Sequence, residues 1–145
     1  MKTHSIEQDV RYAETDRMRV VHHSTYLLWF EVGRTGLLAS AGFPYRELEV
    51  SGTLFAVVEY ACRLTSSTDY GDAVTIETRI TSLRSRSVEF SYRVFKKGEV
   101  IATGSTRHVA VDQTLKAKRI PDPLRGALEE YVDTGSDPRS EFENR

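Results

Sequence analysis

The stretch YAETDRMRVVHHSTYLLWFE, Tyr12 to Glu31, sets Glu14, Thr15, Asp16, His22 and His23 in a short loop and then runs into the longest helical pattern of the chain. The first turn of a helix carries backbone N–H groups with no intrahelical partner and a partial positive charge. An acid held against such an end stays ionised at neutral pH and can attack or take a proton, while the N–H groups stabilise a carbonyl oxygen as charge develops on it. The plainer reading of Asp16 and Thr15 is that they cap a turn, as those residue types often do. Adjacent His22 and His23 seldom share one metal ion, and with no carboxylate–histidine set to complete a site no metal is expected.

Such a loop needs a strand to deliver it and a helix to end it. Ile6, Gln8, Val10 and Tyr12 alternate with Glu7, Asp9 and Arg11, which predicts a half-buried strand. Between Ser24 and Ala41 the residues Leu27, Phe30, Leu37, Leu38 and Ala41 recur at helical spacing, with Ser24 as N-cap and Gly42 and Pro44 as the stop. Gly33 and Gly36 each cost a helix about 1 kcal/mol relative to Ala, so they imply close approach to a sheet. After a loop at Glu47 to Gly52, Leu54, Ala56, Val58, Tyr60, Cys62 and Leu64 form one apolar strand face, with Phe55, Val57 and Glu59 on the other. Tyr70-Gly71-Asp72 reads as a turn before a strand from Val74 to Thr81, Val88 to Val94 gives the next, and Lys97-Gly98 is a hairpin turn before Val100 to Val111. Pro121 and Pro123 open a short terminal helix through Tyr131.

Strand, long helix and four consecutive strands make an α+β pattern, one long central helix wrapped by a curved antiparallel sheet of about five strands. Residues 1–133 read as one domain, and 134–145, rich in charge and turn formers, as a disordered tail. An open sheet edge predicts at least a homodimer, with the pocket near the subunit interface. Lys plus Arg is 20 against 21 Asp plus Glu, so no overall field draws the chain to nucleic acid or an anionic membrane. Cys62 is the only cysteine, which excludes an internal disulfide and a cysteine-based zinc site. The polar start MKTHSIEQ and the lack of a long apolar run predict neither signal peptide nor membrane span, hence a cytoplasmic protein.

The order strand, Y-x-(D/E)-T-D, V-V-(Y/H)-H-x-x-Y-L, a helix with E-x-x-R, and four strands resembles the hotdog-fold acyl-CoA thioesterases of the 4-hydroxybenzoyl-CoA thioesterase and YbgC-like group. Tyr12, Glu14, Thr15, Asp16, Val20, Val21, His22, His23, Tyr26, Leu27, Glu31 and Arg34 carry the match, and Gly71-Asp72 fits the family's later Gly-Asp turn. The resemblance implies hydrolysis of an acyl-CoA with a short- or medium-chain or aromatic acyl group. Asp16 would be nucleophile or general base, and the His23 backbone N–H would polarise the thioester carbonyl. It also implies a dimer or tetramer with the site between subunits, and neither metal nor bound cofactor. Where the family commonly has Gly this chain has Arg19, which adds bulk and charge beside Asp16 and could contact a CoA phosphate or hold Asp16 ionised.

Thioester cleavage expels a thiolate whose conjugate acid has a pKa of about 8.5, so little acid assistance is required. An attacking oxygen and a preorganised N–H, worth about 3–4 kcal/mol per donor, supply the rest. One imidazole of His22 and His23 would orient the thioester or a water while the other packs, or neither side chain would touch the chemistry. Tyr26, one turn into the helix, lines an acyl pocket or packs in the core, and Glu59 is a secondary pocket contact or is partnered elsewhere. Glu31 and Arg34, three apart, are expected to pair. Arg84 with Arg86, and Lys116 with Lys118 and Arg119, are the candidate sites for CoA phosphates or are solvated loop charge. The competing function is a catalytically silent hotdog protein that binds acyl-CoA or acyl carrier protein. A dehydratase would need a histidine–acid pair inside the helix, which the helix lacks.

Overall fold

The computed structural model describes residues 2–16 and 21–133. β1 (His4–Asp9) leads through a 3-10 turn at Tyr12–Glu14 to α1 (Thr25–Ser40) and a short α2 (Tyr45–Ser51). β2 (Leu54–Leu64), β3 (Ala73–Leu83), β4 (Ser87–Lys96), β5 (Glu99–Val111) and α3 (Asp122–Glu129) follow. The strands form one antiparallel sheet in the order β1-β3-β4-β5-β2. The residues after 133, read from sequence as a tail, lie outside the described part.

α1 buries Tyr26, Trp29, Phe30, Leu37 and Leu38 against the sheet. Phe30 stacks on Tyr92 with ring centroids 4.3 Å apart, and β5 has Gly104 at that point because a Cβ there would strike the Phe30 ring. The helix glycines act as expected: a Cβ on Gly33 would meet the Thr78 hydroxyl and one on Gly36 the His4 ring. α1 ends in a left-handed Gly42, with Gly42 N–H donating to Ala39 and Phe43 N–H to Leu38.

Three expectations are corrected. The segment expected as a loop at Glu47 to Gly52 lies mostly in α2, which starts after Pro44 and closes on Gly52 at φ +96°. Leu48 is its one buried residue, so no apolar period announced it. Tyr12 does not continue the strand: β1 stops at Asp9, and Tyr12 packs edge-on against Tyr70 in the loop that follows. Finally, β2 has no single apolar face, because a bulge between Val57 and Glu59 inverts the alternation. Val57 pairs with His108 and Tyr60 with Thr106, so both point to the α1 side, whereas Glu59 pairs with Arg107 on the other.

Candidate active site

The loop that carries Asp16 is tied at its neck. Thr15 bridges Val21, His22 N–H donates to the Glu14 carbonyl over 2.8 Å, and Val21 N–H donates to the Thr68 carbonyl over 2.9 Å. Glu14 is the residue that sequence reasoning passed over as a site residue. Its side chain is 6% exposed and accepts from the Trp29 indole at 2.9 Å and from Arg11 N–H at 2.8 Å. One buried carboxylate thus joins the end of β1, the loop and the second turn of α1. The signal in the sequence was an acid flanked by Ala13 and Thr15 with the only tryptophan fifteen residues on, a pairing that no period reveals.

Asp16 emerges exposed from this neck. The structure starts α1 at Thr25 with Ser24 at the cap position, but the Ser24 hydroxyl does not cap: it bonds His22 Nδ1 at 2.7 Å. The His22 ring packs on His23 with centroids 4.1 Å apart, and both are exposed. Among the described residues the His23 backbone N–H donates to no other group, so it is available at the helix start. Arg19 lies outside the described residues.

The other sequence candidates divide. Tyr26 is 2% exposed and edge-on to Trp29, and burial pushes its phenol up to about 12, so it belongs to the core. Glu59 faces away from α1 and pairs with Arg107 at 3.4 Å. The basic clusters are brought together: Ile120 N–H donates to the Ser85 carbonyl, Ala110 N–H to Arg86, and Lys118 N–H to Ala110. Lys118 Nζ is itself engaged, donating to Thr53 Oγ1 at 2.9 Å, while Arg84, Arg86 and Lys116 are exposed. This end of the sheet is opposite to Asp16. Ala102 pairs with Leu64 near the Asp16 loop, and Ala110, eight residues along β5, is about 26 Å away at 3.3 Å per residue. Among the described residues no group of histidine, cysteine and acid side chains could hold a metal ion, and no helix is long and apolar enough to cross a membrane.

Glu31 and Arg34 do not pair; Glu31 is exposed, and Arg34 turns inward to the Tyr92 hydroxyl. From the first turn of α1 a groove of about 260 Å³ runs between Leu27, Leu28 and Arg34 on one side and Val57, Tyr60 and Thr106 on the other. It is the β2 bulge that puts Val57 and Tyr60 on this wall together.

A helix crossing a five-stranded antiparallel sheet is the architecture of the hotdog-type thioester hydrolases, and the comparisons with known proteins agree. The chain belongs to the Thioesterase-like superfamily, whose pattern matches residues 10–128. It is 35% identical over 108 residues to YneP of Bacillus subtilis, which carries the provisional name of an acyl-CoA thioesterase, covering 74% of this chain and 78% of that one. A hypothetical protein of Thermus thermophilus, TT1821, has a similar structure at 39% identity with a TM-score of 0.84, over 88% of this chain and 98% of that one. A DHNA-CoA thioesterase of Staphylococcus aureus, 27% identical, has a TM-score of 0.86 over 100% and 97%.

Proposed function

We propose that the chain hydrolyses an acyl-CoA, with a short- or medium-chain or aromatic acyl group, to the free acid and CoA in the cytoplasm. The observation that carries this reading is the tied neck from which Asp16 leaves exposed, close in the chain to an α1 start whose His23 N–H meets no acceptor among the described residues. The His23 N–H receives the thioester carbonyl oxygen and holds its charge as the carbon becomes tetrahedral. Asp16 either attacks that carbon, giving an anhydride that water opens, or takes a proton from the attacking water. In both routes the C–S bond breaks, the electron pair leaves on the CoA thiolate, and no resident metal or cofactor takes part.

The reading includes a homodimer. β2 is an edge strand with one side unpaired, and Val57, Val58, Tyr60 and Leu64 are 49%, 50%, 62% and 47% exposed along it. Two-fold pairing of β2 edges runs the strands antiparallel, setting the Leu54 end of one beside the Leu64 end of the other. The basic end of the partner subunit then comes to the loop of Asp16. That arrangement provides cations for CoA phosphates that one protomer keeps about 26 Å away.

The test is release of free thiol from a panel of acyl-CoAs. The wild type is expected to turn over and Asp16→Asn to lose at least about a hundredfold in rate. Equal rates would remove Asp16 from the mechanism, and CoA binding without turnover of any thioester would favour the silent binding protein.

A further inference from the structure

Cys62 is the only cysteine of the chain, and its place in the fold sets it beside the first turn of α1. It pairs with Gly104 across β2 and β5, and Gly104 faces α1, since a Cβ there would strike the Phe30 ring. Cys62 therefore lies on the α1 side, two residues from the groove wall at Tyr60 and two from Leu64 near the Asp16 loop. Tyr60 and Leu64 are 62% and 47% exposed, so the thiol stands in an open apolar corner. Pairing of two β2 edges uses backbone groups and leaves this face of the strand uncovered.

The residue that faces the thiol is Tyr26, one turn before Phe30. It is 2% exposed, yet among the described residues its hydroxyl meets no hydrogen-bonding group. Burial first, and then the charge of an ionised Cys62, push the phenol up to about 12, which marks the two side chains as neighbours. A buried hydroxyl without a partner is costly, and an acceptor on a ligand in this corner removes the cost. Tyr26 N–H donates to the His23 carbonyl at 3.3 Å, so the corner is about 4.5 Å along the helix axis from the His23 N–H. The reaction proposed above holds the thioester carbonyl at that N–H, and the CoA sulfur is one bond from the carbonyl carbon. The pantetheine arm behind the sulfur carries amide oxygens, which are acceptors for the Tyr26 hydroxyl.

We propose that Cys62 is a modification site where a CoA disulfide forms a mixed disulfide with the protein and blocks the thioesterase until a thiol reduces it. The proposal rests on the acyl-CoA thioesterase reading. The Cys62 thiolate attacks one sulfur of the CoA disulfide and a new S–S bond forms. The old S–S bond breaks, its electron pair leaves on the second CoA as thiolate, and that thiolate takes up the proton that Cys62 lost. The attached CoA fills the place of acyl-CoA, so hydrolysis stops, although Cys62 takes no part in hydrolysis itself. Solvent reaches Cys62, yet partial burial pushes its thiol from 9.0 up to about 11. With a disulfide that does not bind, such a thiol reacts about tenfold more slowly than an ordinary one. Its thiolate fraction is about a hundredfold lower, and its greater nucleophilicity recovers only part of that. A disulfide held by its CoA moiety escapes this limit because the two sulfurs are kept together, which makes the site selective for CoA.

The experiment incubates the protein with CoA disulfide or glutathione disulfide, reads the adduct by intact mass, and measures acyl-CoA hydrolysis after free disulfide is removed. The wild type is expected to gain one CoA per chain, at a rate that saturates with CoA disulfide. At equal concentration that rate should exceed the glutathione rate by at least about a hundredfold. Activity should fall in step with the adduct and return with dithiothreitol. Cys62→Ser should gain no adduct and keep its turnover after the same treatment. No adduct on a wild type that turns over acyl-CoA overturns this inference alone, as does an equal rate with glutathione disulfide or an adduct that leaves turnover intact. Because the wild-type arm decides by mass, a Cys62→Ser chain that fails to fold does not rescue the proposal. Absence of turnover of every acyl-CoA overturns the thioesterase reading and this inference with it.

Discussion

Replacing Glu14 by alanine removes the acceptor of two N–H groups, and the structure gives the size of the loss. The Trp29 indole is 1% exposed, so its N–H is left without water or protein and costs about 2–3 kcal/mol. Arg11 sits at an exposed turn where water can replace the carboxylate, and contributes about 1 kcal/mol. The sum, about 3–4 kcal/mol, is a large part of the usual 5–15 kcal/mol of a domain and predicts a melting point lower by roughly 10 °C. Glu14→Gln keeps one oxygen and turns an amide N–H₂ toward the other donor, so about half of that loss is expected. Trp29 is the only tryptophan, so its emission during urea unfolding reports on the contact itself. A cycle with Trp29→Phe, followed by far-UV circular dichroism because that variant has no tryptophan, isolates the pair, with an expected coupling of about 1–2 kcal/mol. Because the same carboxylate ties the Asp16 loop to α1, thiol release by Glu14→Gln should fall by more than its unfolded fraction explains. A Glu14→Ala protein within about 0.5 kcal/mol of the wild type, or a cycle with no coupling, would refute the reasoning.

Two further predictions concern pH and assembly. His108 titrates near 6.5 when unfolded and at about 4 when folded, so between these values the unfolded chain binds a proton that the folded chain refuses. Stability is therefore undiminished by this group above pH 6.5 and falls as pH drops toward 4, by up to about 3 kcal/mol. Urea midpoints at pH 7 and pH 4.5 should separate less in His108→Gln than in the wild type, and an identical separation would exclude His108 as a source of acid sensitivity. A proline at Val58, on the unpaired edge, should shift the mass in light scattering from dimer to monomer and raise KM for acyl-CoA, as the partner's basic end is lost. A monomeric wild type, or a monomeric variant with unchanged KM, counts against the shared site.

The strands, their hairpins and α1 were legible because their signals are local. Alternation over Val74 to Thr81, the Lys97-Gly98 turn with both residues at positive φ, and the glycines of α1 mean the same thing in any context. α2 was hidden because one buried leucine makes no period. The faces of β2 were misassigned because an extra residue at Val58 pairs with nothing, and register is a property of two strands rather than one.

The sequence by itself carried the resemblance to acyl-CoA thioesterases, through an acid two residues past Glu14, a histidine pair and a helix start that fall within one short stretch. The tertiary structure alone decided which side chains meet behind α1. Arg34, Phe90, Tyr92, Thr106 and His108 come from α1, β4 and β5, and nothing in their spacing along the chain announces a pocket. They meet because antiparallel pairing aligns β4 with β5 and the small Gly33 and Gly104 let α1 lie close to the sheet. A site built at one chain turn can be read in order. One built across three elements exists only once their packing has set the distances.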